Sequence, residues 1–233
     1  MNLFYQPGIP RGVSYLDADE SRHCVKVLRK RWGDVITITD GAGFFYEALV
    51  TIADPARCAF DVQKKTPAPE KDFFIHVAVS PTKNSDRIEW FVEKATEIGI
   101  DRITLMDCEN TERSFIKTER LIKVAVTAMK QSLKAVLPTI SDDLLPFSEV
   151  LTHCHEDHMY IAAVDLTNPV LLKDSAKKGA SYRVLIGPEG DFSPEELAAA
   201  LDHKFRKVSL GPSRLRTETA AIAACHILNL VNE

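Results

Sequence analysis

The sequence predicts an α/β protein in which a small β-rich module precedes a larger domain with a mostly parallel sheet. Short strands rich in β-branched and aromatic residues follow one another before residue 63. From Phe73 onward, apolar strands alternate with amphipathic helices. A charged segment with two prolines, residues 64–72, separates the two patterns. We therefore predict domains at residues 1–70 and 73–233.

The first module is expected to begin with a basic helix. Asp17 as the N-cap and Glu20 three residues later predict a capping box. Three basic residues of the helix that follows fall within one narrow arc, and two more come directly after them. Together they form a surface that we call the basic ridge: Arg22, Lys26, Arg29, Lys30 and Arg31. A solvated helix face and a phosphate-binding surface both fit this pattern.

The remaining elements follow from hydrophobic periodicity and turn residues. Strands are predicted in the first module at residues 35–40, 45–52 and 58–62, and in the second domain at 74–79, 103–106, 160–164, 184–186 and 208–210. Apolar residues at helical spacing predict a helix from Asn84 to a C-cap at Gly99. A final helix is predicted over residues 217–230.

Bulk properties narrow the class of protein. The formal charge of −4 and the pI near 6.0 do not favour nucleic-acid binding, although a local basic surface can override the total. No apolar run approaches the about eighteen residues of a membrane span, and the N-terminus does not resemble a leader, so we expect a cytoplasmic protein. The five cysteines include no C-x-x-C pair, which favours reduced thiols.

Two glycine-containing turns near the C-terminus carry the strongest functional signal. Ile186–Gly190 and Leu210–Ala220 each join an apolar strand to a helix. Where a strand ends and a helix begins, backbone N–H groups are unpaired and can bind a ligand. The sequence contains neither G-x-G-x-x-G nor G-x-x-x-x-G-K-[ST], which argues against a dinucleotide or a triphosphate. The two turns therefore predict one binding site for a different ligand.

These turns, together with segments at residues 22–34, 86–99 and 113–114, resemble the RsmE family of SPOUT methyltransferases, which methylate N3 of a uridine in small-subunit ribosomal RNA. The resemblance covers nearly the whole chain. It implies a PUA-like β-barrel at the N-terminus and a SPOUT domain tied in a deep trefoil knot, with S-adenosylmethionine as cofactor. It also implies a homodimer that acts on 16S ribosomal RNA or on the assembled small subunit.

The resemblance implies roles for the residues of the two turns. Arg216 is expected to stabilise charge on the uracil oxygens, and Glu189 and Glu218 are candidate bases that can equally be helix N-terminal carboxylates. The basic ridge is expected to bind RNA phosphates. The expected cofactor-binding residues are Ile186, Gly187, Pro188, Glu189, Gly190, Leu210, Gly211, Leu215, Arg216, Thr217 and Thr219.

The sequence departs from the family pattern in two places. Asp191 occupies a position where the family usually has glycine, which places a carboxylate beside the cofactor loop. Residues 129–132, Met-Lys-Gln-Ser, replace a Glu-Gln-Ser or Glu-Gln-Cys block and leave any role of that glutamate open.

Two other functions remain as alternatives. The segment 153–158 fits H-x-H-x-D-H, a zinc-binding signature of metal-dependent hydrolases, through His153, His155, Asp157 and His158. The glycines that accompany this motif are lacking, and only His203 and His226 remain downstream as histidine ligands. A polar helix end before the next strand is therefore the simpler interpretation, and we expect no metal. A basic module joined to a sheet domain can also bind ribosomal RNA without chemistry.

Overall fold

The computed structural model of the chain describes residues 2–112, 116–152, 154–163 and 170–233. It divides into two compact units, Met1–Glu70 with Val126–Leu137 and Lys71–Ala125 with Pro138–Glu233. The division assigns the C-terminal part of one helix to the first unit, which a linear reading of the sequence does not anticipate. The domain limits at 1–70 and 73–233 stay a prediction.

The first unit contains a four-stranded sheet in the order β1-β2-β3-β4. The strands are β1 Leu3–Tyr5, β2 Val35–Thr39, β3 Phe44–Ile52 and β4 Ala59–Pro67. β1 was not predicted; it pairs parallel with β2, and the other two pairs are antiparallel. Phe4, Ile38, Tyr46 and Phe60 are buried on one face of this sheet and form the core of the unit.

The predicted linker was wrong over its first four residues. Residues 64–67 belong to β4, where Lys64 and Lys65 pair with Glu47 and Tyr46 of β3. β4 is an edge strand, so charged side chains can face solvent and a proline can occupy its last position without breaking the ladder. The charged residues and the first proline of this segment therefore belong to an edge strand and not to a linker.

The basic helix is shorter than predicted. α1 spans Ala18–Arg22 and continues as a π-helical turn, His23–Val27, so the arc proposed for the basic ridge does not extend to Arg29, which follows the helix with φ 55°. The Asp17 side chain accepts from the Glu20 amide, as the capping box requires. The Glu20 carboxylate instead pairs with Lys130, so only half of the predicted box forms.

The second unit contains a six-stranded, all-parallel sheet in the order β10-β8-β9-β5-β6-β7. Its strands are β5 Phe74–Val79, β6 Arg102–Asp107, β7 Thr139–Pro146, β8 His158–Ala162, β9 Ser181–Ile186 and β10 Arg206–Val208. The predicted parallel sheet is confirmed. Val164, placed in the fourth predicted strand of this domain, lies outside the described residues, and the trefoil knot stays a prediction.

The described chain also contains a 3-10 helix, Ile9–Arg11, and six further α-helices. The α-helices are α2 Ser85–Ile98, α3 Thr118–Gln131, α4 Phe147–Thr152, α5 Leu172–Ser175, α6 Pro194–Asp202 and α7 Thr217–Asn232. The predicted ends of α2 are confirmed, with Asn84 accepting from the Asp86 amide and Gly99 at φ 127°. α2 packs against α7. None of the helices that the structure describes is long and apolar enough to cross a bilayer.

Candidate functional site

Both glycine-containing turns lie at the carboxyl-terminal edge of the parallel sheet. The first begins where β9 ends at Ile186, and the second follows β10 and ends at Arg216, the N-cap of α7. The Thr217 hydroxyl donates to the Gly187 carbonyl at 3.0 Å, so the two turns are directly joined. Ligands of open parallel sheets bind at this edge, because loops and helix N-termini converge there.

The first turn is held by its own backbone and by two neighbouring loops. Its Pro188 is buried, and the Pro188 carbonyl accepts from the Asp191 amide at 3.0 Å. The Asn110 amide, in the loop after β6, donates to the carbonyl groups of Gly190 and Asp191 at 3.4 and 3.1 Å. The Lys83 backbone N–H, in the loop after β5, donates to Glu189 at 3.3 Å. The conformation of the turn is therefore fixed from three strands of the sheet.

The second turn presents open space to a ligand. Gly211 has φ 137°, a conformation that glycine adopts readily, and a Cβ built there meets no described atom within 4 Å. Leu210 and Leu215 are partly buried beside it. The first turn of α7 adds free backbone N–H groups, because no preceding helical carbonyl accepts from them.

Two carboxylates at this edge have an oxygen that needs a partner. Glu218 is only 7% exposed, and its Oε1 lies 3.8 Å from Arg87 Nε. Within the described part of the chain, Oε2 of Glu218 and Oε2 of Glu189 are buried without a hydrogen-bond partner. An unpaired buried carboxylate oxygen costs free energy, so both oxygens are suited to hydroxyl or amine groups of a polar ligand. Glu218 lies in the first turn of α7, where a negative charge interacts favourably with the helix dipole.

Arg216, the N-cap of α7, lies at the same edge of the sheet. Its side chain is exposed, and its guanidinium has no hydrogen-bond or ion-pair partner among residues 2–112, 116–152, 154–163 and 170–233. Sequence reasoning did not single out Lys83, Arg87 and Asn110 as site residues. They could have been found only from their position in the fold, because each follows a strand that ends at the same edge of the sheet.

The glycines of the first turn are required by close protein contacts. A Cβ on Gly187 would lie 3.1 Å from the Phe192 ring, and one on Gly190 would lie 3.0 Å from Asn110 Cβ. Contacts near 3.0 Å are tighter than side chains normally tolerate, so the neighbour has to move. The first turn is therefore shaped by packing against Phe192 and Asn110 as well as by any space that a ligand needs.

We expect a Gly190→Val variant to fold but to lose cofactor binding, measured by calorimetry with S-adenosylmethionine, because valine displaces Asn110 and the turn that Asn110 holds. An Asn110→Gly variant, alone and combined with Gly190→Val, separates two causes, because glycine removes the Asn110 Cβ that a side chain on Gly190 would meet, and the single variant measures the loss of the Asn110 amide itself. Recovered binding in the double variant assigns the loss to the Asn110 contact, and continued loss assigns it to space that the ligand occupies. Wild-type affinity in the Gly190→Val single variant would contradict both.

Asp191 has the backbone conformation for which glycine is suited. Its φ is 63°, in the left-handed region that Asp tolerates better than most residues, and its Oδ1 accepts from the Phe192 amide at 2.9 Å. The carboxylate that replaces the family's glycine is thus bonded to its own turn.

We expect Asp191→Gly to retain cofactor binding and stability, whereas Asp191→Ala should be less stable than the glycine variant by about 1 kcal/mol. Alanine keeps the left-handed strain and loses the bond to the Phe192 amide. Chemical denaturation of the two variants measures the difference. Equal stability would show that the turn relaxes to another backbone conformation.

The histidine-rich segment before β8 is committed to other interactions. His153 lies outside the described residues. Asp157 accepts from the Ser181 amide and hydroxyl at 3.0 and 2.7 Å, and His158 Nδ1 lies 3.1 Å from the Arg206 guanidinium. His155 is exposed. No group of three or more His, Cys, Asp or Glu residues in the described ranges is arranged to hold a metal ion.

Glu156, within the same segment, belongs to a buried ion-pair network at the opposite end of the sheet from the two turns. Its carboxylate lies 2.7 Å from His76 Nδ1 and 2.9 Å from Arg183. Burial opposes its ionisation, but the hydrogen bond with His76 and the charge of Arg183 outweigh burial and lower the pKa of Glu156 to about 2. This network anchors the start of β8 to the central strands.

The basic ridge lies in the first unit, on α1, the π-helical turn and the loop before β2. Arg22 pairs with Asp19 at 3.3 Å on the surface, and Lys30 Nζ donates to the Val35 carbonyl at 2.9 Å. Lys26, Arg29 and Arg31 have no ion-pair partner in the part of the chain that the structure describes. Lys26, Arg29 and Arg31 are therefore directly available to a polyanion, and the Arg22–Asp19 pair is exposed and weak enough for Arg22 to exchange Asp19 for a phosphate.

The departure at residues 129–132 belongs to the same unit. Lys130 forms an ion pair with Glu20 of α1, and the Ser132 hydroxyl donates to the Ala128 carbonyl at 2.7 Å. A glutamate at position 130 would face Glu20 with a like charge. Lys130 thus joins the C-terminal end of α3 to α1 through one partly exposed ion pair, a kind that typically contributes at most about 1 kcal/mol.

Comparison with known proteins identifies relatives of both parts of the chain. Residues 69–229 match the family described as RNA methyltransferase domain, and residues 16–62 match that described as RNA methyltransferase PUA domain. The chain is 31% identical to ribosomal RNA small subunit methyltransferase E of Aquifex aeolicus, over 73% of this chain and 74% of that protein.

Solved structures share the fold. The crystal structure of a probable rRNA-methyltransferase from Porphyromonas gingivalis is 40% identical, with a TM-score of 0.94 over 100% of this chain and 98% of that chain. Ribosomal RNA small subunit methyltransferase E from Neisseria gonorrhoeae, solved bound to S-adenosyl methionine, is 24% identical with a TM-score of 0.84 over 100% and 98%. At that identity the second likeness concerns the fold alone.

Proposed function

The chain belongs to the ribosomal RNA small subunit methyltransferase E family, and we propose that it transfers a methyl group from S-adenosylmethionine to N3 of a uridine in 16S ribosomal RNA. The observation that supports this most directly is the joining of the two turns at one edge of the parallel sheet through Thr217 and Gly187. A PUA unit with a basic ridge in the same chain fits an RNA substrate.

The residues at this edge suit a cofactor that carries an amino acid and a ribose. Backbone groups at 186–190 and 210–217 can bind its polar atoms, and Leu210 and Leu215 provide apolar contact. The unpaired oxygens of Glu189 and Glu218 suit its hydroxyl or ammonium groups. When bound, S-adenosylmethionine supplies the electrophilic methyl carbon.

The protein has to prepare the uracil. The imide N3–H is a poor nucleophile until it loses its proton, which a carboxylate or a water held by one can accept. Glu189 and Glu218 are our candidates for this role. The exposed guanidinium of Arg216 can stabilise the negative charge that develops on the uracil oxygens, because its planar fork matches a carbonyl edge.

The assembly and the substrate complete the proposal. We infer a homodimer in which both SPOUT domains contribute to each site, and either 16S RNA or the assembled small subunit as the partner of the basic ridge. The reaction then takes place in the cytoplasm.

An in vitro methylation assay tests this function. Small subunits that lack the modification are incubated with the protein and S-adenosylmethionine, and nucleosides are identified by mass spectrometry. Appearance of 3-methyluridine supports the proposal. A different methylated nucleoside would overturn the N3-uridine assignment, and cofactor binding without methylation of subunits or free RNA would favour a non-catalytic RNA-binding protein. Zinc binding and hydrolysis would favour the metal-dependent hydrolase.

A further inference from the structure

Trp32 is the most exposed large hydrophobic residue in the described part of the chain. Its side chain is 78% exposed, and Val27 and Val35 nearby in the sequence are 63% and 49% exposed. Burial of these apolar side chains against a partner would be favourable by about 25 cal/mol per Å² of apolar area removed from water. Tryptophan is enriched at binding interfaces, where its large ring gains contact area, so this degree of exposure is a candidate binding contact.

The indole is carried by a fixed turn. The Asp34 amide donates to the Arg31 carbonyl at 3.1 Å, and Gly33 has the positive φ, 81°, that the third position of a type II turn requires. Gly33 N–H donates to the Val50 carbonyl of β3 at 2.8 Å, and the Asp34 side chain accepts from the Arg31 amide at 2.8 Å. The turn is thus tied to the sheet, and Trp32 is presented with little backbone freedom to lose on binding.

The charges around Trp32 indicate the chemistry of its partner. Lys30 and Arg31 precede it directly, and Lys26 and Arg29 lie just upstream. Arg29 has φ 55°, which costs a non-glycine residue about 1–2 kcal/mol, and it follows a π-helical turn. Strained backbone of this kind concentrates at functional sites. An exposed aromatic ring inside a cationic surface is the arrangement that binds single-stranded nucleic acid, because bases stack on the ring while cations hold the phosphates.

We propose that Trp32 stacks on an unpaired base of the ribosomal RNA substrate, next to the backbone held by the basic ridge. This inference rests on the proposed function in that the first unit binds RNA. It adds a contact that selects single-stranded RNA over duplex, which phosphate contacts alone do not do. A base inside a duplex has both faces covered by its neighbours and does not offer one to Trp32.

Binding of a labelled oligouridylate, and of a duplex RNA of the same length, tests the stacking contact. Trp32→Ala should weaken oligouridylate binding about 5- to 150-fold, which corresponds to about 1–3 kcal/mol for one stacked base, and leave duplex binding and the salt slope unchanged. Trp32→Phe should retain most of the affinity and Trp32→Leu should not. In a Trp90→Phe background, Trp32 is the only tryptophan, and its fluorescence should be quenched by the oligonucleotide.

Each other result contradicts the inference in a distinct way. Unchanged oligouridylate affinity in Trp32→Ala overturns the stacking contact and leaves the proposed function standing. Full affinity in Trp32→Leu shows apolar contact without stacking. Loss confined to assembled subunits, with naked RNA bound normally, assigns Trp32 to a ribosomal protein. If the wild-type protein binds no RNA, the RNA-binding role of the first unit fails and this inference fails with it.

Discussion

An Arg216→Ala enzyme is expected to bind S-adenosylmethionine with near wild-type affinity and to lose about a hundredfold or more in kcat. The guanidinium has no partner within the described residues, so its removal should not disturb the fold or the turn that precedes α7. Charge on the uracil oxygens appears only as N3 is deprotonated and attacks, and the loss of one preorganised donor for such charge typically costs about 100- to 1,000-fold.

Single-turnover methylation and calorimetry on the same preparation measure the two quantities. Arg214→Ala is the matched control, because Arg214 is exposed in the same loop two residues earlier and carries no proposed role. Arg216→Lys should recover little activity, since an ammonium group cannot offer two parallel N–H donors. If Arg216→Ala methylates RNA at the same rate as the Arg214→Ala control, Arg216 has no role in catalysis.

The parts of the fold that could be read from sequence are those in which one local signal dominates. Buried parallel strands such as β5 and β9 are mostly apolar, interrupted by His76 in the first and by Ser181 and Arg183 in the second, and α2 has an N-cap, helical spacing and a terminal glycine. β7 was missed because it lies at the sheet edge, and its polar residues, including Asp142 and Asp143, hide the strand pattern. β1 was missed because three residues carry too little periodicity.

The site residues that could be predicted are likewise those with a local sequence signal. The two turns were found because glycines and strand ends are local, whereas their junction through Thr217 and Gly187 joins residues thirty positions apart. Asn110 and Arg87 depend on which strands are neighbours, and no local pattern contains that information. Asp191 is a different case. The sequence showed that it departs from the family pattern, but only its positive φ explains why glycine is suited to that position.

The basic ridge leads to the second large expected effect. A variant with Arg22, Lys26 and Arg29 replaced by Gln should bind ribosomal RNA more weakly and with a flatter salt dependence. Binding releases counterions from each phosphate that the protein contacts, so a variant with three fewer contacts releases fewer of them. The log–log slope of affinity against salt should therefore become shallower by about two to three units, taking about 0.7 to 0.9 per phosphate. The methylated nucleotide should not change, because phosphate contacts position a complex without reading sequence.

The chain's net charge of −4 makes a matched control necessary. Replacing Arg11, Arg57 and Lys64 by Gln removes the same three charges from exposed positions of the same unit. If total charge governs binding, both triple variants flatten the slope equally. If the ridge contacts phosphates, only the first does, because Lys26 and Arg29 have no ion-pair partner in the described residues and would be free to meet the polyanion. An unchanged slope in the ridge variant, with cofactor affinity and thermal stability intact, would mean that α1 and the loop after it form a solvated face and that the RNA is held by other residues.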